Sequence, residues 1–292
     1  MNILLRTLFA VLLLTGLALC LAPGNPDTGS VVKKGEWESI FNGKDLSGWQ
    51  MKITGYELND NYAHTFQVKD GKLIVSYDEY DTFHNAFGHI FYKEKLSDYR
   101  LRLEYRFVGE QVAGGPEWGY RNSGIKFHAP PPELIPKDQT LLVAPEMQLL
   151  GGNGVDERPT GNICTAGTHV VMNGKLHTQH CTNSSSPTFH GDQWVQAELE
   201  VHGNGKVLHR INGVVVMEYE QPQLDDSDEF ARELMAKGFP RMLSEGYIAL
   251  QAESHPIDFR NIELLDLCGC KDPDAKNYKS YYAKDLPESC IY

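Results

Sequence analysis

Three stretches of the sequence carry acids, amides and bases at alternating positions: Asn122-Ser123-Gly124-Ile125-Lys126-Phe127-His128, Glu146-Met147-Gln148-Leu149-Leu150, and Ile248-Ala249-Leu250-Gln251-Ala252-Glu253-Ser254-His255. In an extended strand, successive side chains point to opposite faces. Ile125, Phe127, Met147, Leu149 and Leu250 therefore belong to a core. Asn122, Lys126 and His128 share the other face of the first strand, Glu146 and Gln148 that of the second, and Gln251, Glu253 and His255 that of the third. A solvated face of any antiparallel sheet alternates in the same way. These faces, however, are rich in Glu, Gln, Asn and His rather than Lys, Thr and Ser. A concave sheet lined in this manner makes a cleft for a hydroxylated ligand, with carboxylates to move protons and amides to hold hydroxyls.

The elements that must position these residues are short strands separated by Gly, Asn and Asp turns, the pattern of an all-β sandwich. The clearest are Phe66–Val68, Lys72–Ser76, Tyr99–Val108, Gly124–His128, Pro145–Leu150, Trp194–His202, Lys206–Ile211, Val214–Tyr219, Tyr247–Ala252 and Ile257–Leu265. Asn212-Gly213 between two of them is the strongest hairpin signal, because both residues tolerate the positive φ of a type I′ turn. One helix is expected over Glu229–Lys237, capped by Asp228 and ended by Gly238. The proline-rich stretch Ala129–Pro136 reads as a surface loop. At 292 residues, 41% of them hydrophobic and with 14 Tyr and 12 Phe, the chain can fill one large all-β core.

A net charge of −12 leaves no basic stripe to displace counterions, so nucleic acid is not an expected partner. Arg6 followed by the apolar run Leu8 to Leu14, with Pro23-Gly24-Asn25-Pro26 beyond it, reads as an export signal over 1–22. The run is too short for a transmembrane span. A flexible leader is expected over 23–36. Export places the chain in the periplasm or outside the cell, with lipid attachment through Cys20 as the variant reading. In that oxidising setting Cys164 is expected to pair with Cys181, and Cys270 with Cys290, leaving Cys268 over. The competing reading is a zinc held by His177, His180 and Cys181, although two well-spaced ligand pairs are absent. Residues 267–292 resemble a short cysteine-stapled module of the kind appended to exported bacterial proteins, too small to hold a core alone.

The opening Trp37-Glu38-Ser39-Ile40-Phe41-Asn42-Gly43-Lys44-Asp45-Leu46-Ser47-Gly48-Trp49 resembles that of the 3-keto-disaccharide hydrolase family. Further matches occur in family order. They are Tyr120-Arg121-Asn122-Ser123-Gly124-Ile125, Pro145-Glu146-Met147-Gln148-Leu149-Leu150, Ile211-Asn212-Gly213, Leu250-Gln251-Ala252-Glu253, and Ile257-Asp258-Phe259-Arg260-Asn261-Ile262. The resemblance implies a concanavalin A-like jelly-roll sandwich of two antiparallel sheets over 37–266. It also implies cleavage of glycosides already oxidised at C3, by 1,2-elimination, hydration of the resulting 2-hydroxy-3-keto-glucal, or both. Members commonly carry Arg where this chain has His128, and the loop Ala129–Ala144 looks expanded.

A C3 ketone acidifies the C2 hydrogen, so a carboxylate or imidazole can remove it while the C1 substituent departs. The oxygens that gain charge need fixed donors or a divalent metal ion. Glu146 and Glu253 are the candidates for base and metal ligand, in either order. Lys126 or His128 would polarise the ketone. Asn122, Gln148, Gln251, Trp118 and Arg121 would bind the oxidised sugar, and His169 falls where the family's substrate loop lies. His84, His89, His177, His180 and His202 read as surface residues. Laminarinase-like hydrolysis needs a second carboxylate on the strand of Glu146, which is missing. The non-enzymatic alternative is a lectin-like carbohydrate-binding module using Trp118 and Tyr120 as an aromatic platform.

Overall fold

Met147, Leu149, Ile125, Phe127 and Leu250 all lie in one core, each with no exposed surface, between two antiparallel sheets. Removing a side chain of this size from water is worth about 1.5–3 kcal/mol. The computed structural model describes residues 37–292, so the expected signal segment, the leader and Cys20 lie outside the described residues. One sheet has seven strands, in the spatial order Cys181–Thr182, Asn162–Ala166, Ala144–Leu150, Asn122–Ala129, Tyr247–Ala252, Gly88–Tyr92 and Trp49–Ile53. The other has ten. Its centre is formed by Lys206–Ile211, Val195–His202, Asp98–Phe107 and Ile257–Asp266. This is the expected jelly-roll sandwich.

The strands alternate as their sequence dictates. Asp98–Phe107 buries every second residue, with Tyr99, Leu101, Leu103, Tyr105 and Phe107 inward. Its outward Arg100, Arg102 and Arg106 pair with Glu198, Glu263 and Asp258 on neighbouring strands. Asn212 and Gly213 both have positive φ, 48° and 81°, as the hairpin requires. The helix spans Glu229–Ala236, and the Asp228 carboxylate accepts the Ala231 N–H at 2.9 Å.

Cys164 is bonded to Cys181 and Cys270 to Cys290, while Cys268 is free. The first bond overturns the zinc reading, because it consumes the Cys181 sulfur and His177 Nε2 is hydrogen-bonded to the Thr182 hydroxyl at 2.6 Å. The C-terminal segment returns to the sandwich edge, where Ala283 N–H donates to the Leu267 carbonyl at 2.8 Å and Lys284 Nζ to Ser97 Oγ at 3.1 Å. Among the described residues no helix is long and apolar enough to cross a membrane. The two disulfides accord with an extracellular protein.

A buried carboxyl pair in the concave sheet

The face of the seven-stranded sheet turned away from the core carries a cavity of about 380 Å³. Strand register builds it in rows. Lys126 stands opposite Glu146, Glu146 opposite Cys164, and Cys164 opposite Cys181. In the adjacent row Lys52 stands opposite His89, His89 opposite Gln251, and Gln148 opposite Asn162. Gly124 lies beneath the middle of the cavity. A methyl group there would collide with the Glu146 carboxylate and the Gln251 amide oxygen, so the absence of a side chain leaves room for both.

Seven sequence candidates converge. Asn122, Lys126, Glu146, Gln148, Gln251, Glu253 and Trp118 all line the cavity. Lys126 Nζ lies 2.7 Å from Glu146 Oε2. Gln251 Nε2 donates to Glu253 Oε1 at 2.8 Å, Gln148 Nε2 to Asn122 Oδ1 at 3.2 Å, and Asn162 Nδ2 to Gln148 Oε1 at 2.9 Å. Burial raises the Glu253 carboxyl to about 8, and the neighbouring Glu146 adds to the rise while Lys126 opposes it. Two atoms are left over: Gln251 Oε1 and Glu253 Oε2 are buried without a hydrogen-bond partner. Unpaired buried polar atoms are costly, and two in one cavity point to a ligand that completes them.

Three candidates are elsewhere. His128 has φ 49°, which breaks the alternation. Its Nε2 bonds the Gly203 carbonyl at 2.9 Å, in the loop between two strands of the opposite sheet. Arg121, with φ 43°, turns to the Gly191 carbonyl and Asp192. His169 sits in the ten-stranded sheet beside Asp225, 3.3 Å away. His255 also leaves the expected face: Ser254 has φ 81°, and the imidazole is buried between Phe107 and Tyr120.

Two histidines read as surface residues border the site: His180 is exposed as expected, whereas His89 is buried. His180 lines the cavity mouth together with Leu141. His89 is buried beside Gln251 and is driven down to about 3 by burial first, then by the charges of Lys126 and Lys52. The alternation Gly88-His89-Ile90-Phe91-Tyr92 held that signal, since Ile90 inward puts His89 on the cleft face.

Residues 36–265 match the family described as the 3-keto-alpha-glucoside-1,2-lyase-like domain. The chain belongs to this family. Membership ties the lyase-like domain to carbohydrate chemistry. Its fold is similar to two candidate glycosyl hydrolases of Parabacteroides distasonis ATCC 8503. One is 17% identical, covering 80% of this chain and 94% of that one with a TM-score of 0.44. The other is 16% identical, covering 79% and 99% with a TM-score of 0.47. The VIP36 exoplasmic/lumenal domain bound to Ca²⁺ and Man3GlcNAc is 12% identical, covering 85% and 97% with a TM-score of 0.47. No curated protein matches the chain.

Proposed function

We propose that the chain is an exported enzyme that cleaves 3-keto-glycosides by 1,2-elimination. One observation carries the reading: two carboxyls share a buried cavity in unlike settings. Glu146 is ion-paired with Lys126, whereas Glu253 has only the Gln251 amide on one oxygen and nothing on the other. Paired carboxyls whose surroundings separate their acidity divide into a base and an acid.

Glu146 then takes the C2 proton that the C3 ketone has acidified. The electron pair forms the C1=C2 bond as C1–O1 breaks, and the Glu253 carboxyl delivers its proton to the departing oxygen. The products are the 2-hydroxy-3-keto-glucal and the free alcohol. Water added back across C1=C2 gives net hydrolysis. A positioned base contributes about 10²–10⁴-fold. The Lys126 ammonium, fixed and out of water, offers positive charge to oxygens that become negative as the proton leaves. Gln148, Asn122 and Gln251 hold ring hydroxyls, and Trp118 closes one side of the cavity.

The free oxygens of Glu253 and Gln251, with Glu146 alongside, are oxygen donors of the kind that hold a hard divalent cation rather than zinc, and such an ion would stand in place of the Glu253 proton. Bound there, such an ion would supply positive charge to the substrate oxygens. Among the described residues no group of three or more His, Cys, Asp and Glu gathers to hold a metal.

The test compares methyl 3-keto-glucoside with methyl glucoside. The ketone should be consumed with appearance of an enone chromophore, and the unoxidised glycoside should remain intact because its C2 hydrogen is not acidic. Equal turnover of both would sink the mechanism. Binding of either without turnover would establish the lectin-like role instead.

A further inference from the structure

We propose that the cleft continues across Trp118 into a second subsite that holds the leaving-group sugar; the inference rests on the elimination reading above. The 380 Å³ cavity and a more open groove of about 690 Å³ share the Trp118 side chain as a common wall. The cavity is at the small end of the range for ligand sites, enough for the reacting ring and little beyond it.

The wall stands beside the reacting groups. A methyl at Gly119 would come within 2.7 Å of the Glu253 carbonyl oxygen and of Ser254 Oγ, so the turn bearing Trp118 rests directly on the Glu253 segment. Gln111 Nε2 fastens that turn, donating to the Pro116 carbonyl and to Ser254 Oγ, both at 2.8 Å. A substituent on C1 that crosses the wall enters the groove.

The groove suits a sugar. Trp118 is stacked parallel on Phe87, at 5.6 Å between ring centres and 3° between planes, yet remains 52% exposed. It is a rigid aromatic surface for the apolar face of a pyranose. Glu117 and Asp156 stand exposed around it as hydroxyl acceptors, and Asn153 Nδ2 orients Asp156 at 2.7 Å. Arg158 donates to the Tyr120 carbonyl at 2.6 Å and braces the far side. Two exposed carboxylates against one engaged guanidinium favour a neutral sugar over a uronic acid. A groove ordered before binding loses little affinity to ordering.

The experiment uses the full chain with methyl 3-keto-glucoside and with a 3-keto-disaccharide whose leaving group is glucose. The disaccharide should have the higher kcat/KM by about tenfold. Glu117→Ala and Asp156→Ala should each reduce that ratio toward one while turnover of the methyl glycoside stays unchanged. Equal kcat/KM for the two substrates in the unmodified protein, or a ratio untouched by both variants, overturns the subsite. Failure to turn over either ketone defeats the elimination reading alone. The groove is then judged by fluorescence: the disaccharide should quench Trp118 emission, with the signal lost in Trp118→Phe and weakened in both groove variants. Absence of that quenching overturns the subsite independently.

Discussion

The Lys126 ammonium and the Glu146 carboxylate sit 2.7 Å apart with 2% and 6% of their side-chain surfaces exposed. Strand register places them directly opposite each other. A pair this dry costs heavily to desolvate, and removing one member strands the other charge at about 3–5 kcal/mol. Lys126→Met and Glu146→Leu should therefore each lower urea stability by that order as well as abolish turnover. The double variant Lys126→Met/Glu146→Leu should recover most of the stability and none of the activity. Chemical denaturation and turnover on one set of samples check both. Additive stability losses in the double variant would show that the pair is not coupled.

Glu253 gives stability a pH dependence of known sign. Its carboxyl is raised to about 8 in the folded chain from an ordinary 4.5, because burial penalises the charge and Glu146 adds to the penalty. Between those values the folded state holds a proton that the unfolded state has released, so stability falls as pH rises. The contribution is complete below about pH 4.5 and gone above about 8. Glu253→Gln keeps an oxygen for the Gln251 amide and does not titrate. Its urea midpoint should lose less than that of the unmodified protein between about pH 5 and 8, and its turnover should vanish. Identical pH slopes would refute the raised carboxyl.

The buried imidazoles act in the opposite direction. His89 is lowered to about 3, and His128, His209 and His255 to about 4, in each case by burial above all. Each is neutral when folded and charged when unfolded below its ordinary 6.5, so stability drops as pH falls from 6.5 toward 4. His255, with neither ring nitrogen hydrogen-bonded, offers the cleanest test. His255→Phe should flatten the acid limb of a stability–pH curve without affecting turnover, because the ring lies outside the cavity.

How far the sequence revealed the site depended on where strand alternation survives. Between Asn122 and Phe127, between Glu146 and Leu149, and up to Glu253 the backbone stays extended, and every polar residue landed on the expected face except where the phase was broken. The breaks are single residues with positive φ: Arg121, His128 and Ser254. Each reverses the phase of the residues beyond it or turns its own side chain, and no local composition rule singles out a non-glycine residue for that conformation. His169 was lost for another reason, since the chain switches sheets at Gly167, between Asn162–Ala166 and Thr168–Met172. His89 was missed because no strand was expected over Gly88–Tyr92, so the alternation that turns it to the cleft face was not applied there.

The two disulfides should separate stability from function. Cys164–Cys181 forms part of the cavity wall beside Glu146, and Cys270–Cys290 closes the tail. They join residues 17 and 20 apart, so each should contribute about 2–4 kcal/mol by restricting the unfolded chain. Replacing both cysteines of the first pair by Ser should raise KM for the ketone as well as lower the melting temperature. The same replacement at the second pair should leave KM unchanged. Equal KM in the two variants would remove the disulfide from the cleft's function.

Gly124 offers the sharpest geometric test, because its role is the space it leaves. The Glu146 carboxylate and the Gln251 amide oxygen both occupy the region where a side chain would begin. Gly124→Ala introduces one methyl and changes no charge, no hydrogen-bonding group and no titrating residue. Overpacking of this kind costs about 1–3 kcal/mol, which a sandwich with this core should survive. The methyl must displace at least one of the two side chains, and a displacement of about 1 Å at a reacting group can cost about 10²-fold in rate. Turnover of the 3-ketone should fall by that order while circular dichroism and the cooperative unfolding transition persist. Gly213→Ala serves as the control, since Gly213 lies in a distant hairpin with open space around it and φ of 81°. It should cost stability through backbone strain and leave kcat and KM unchanged. If Gly124→Ala turns over the ketone at the rate of the unmodified protein, Glu146 and Gln251 do not act from the positions seen here, and the assignment of Glu146 as the base fails with them.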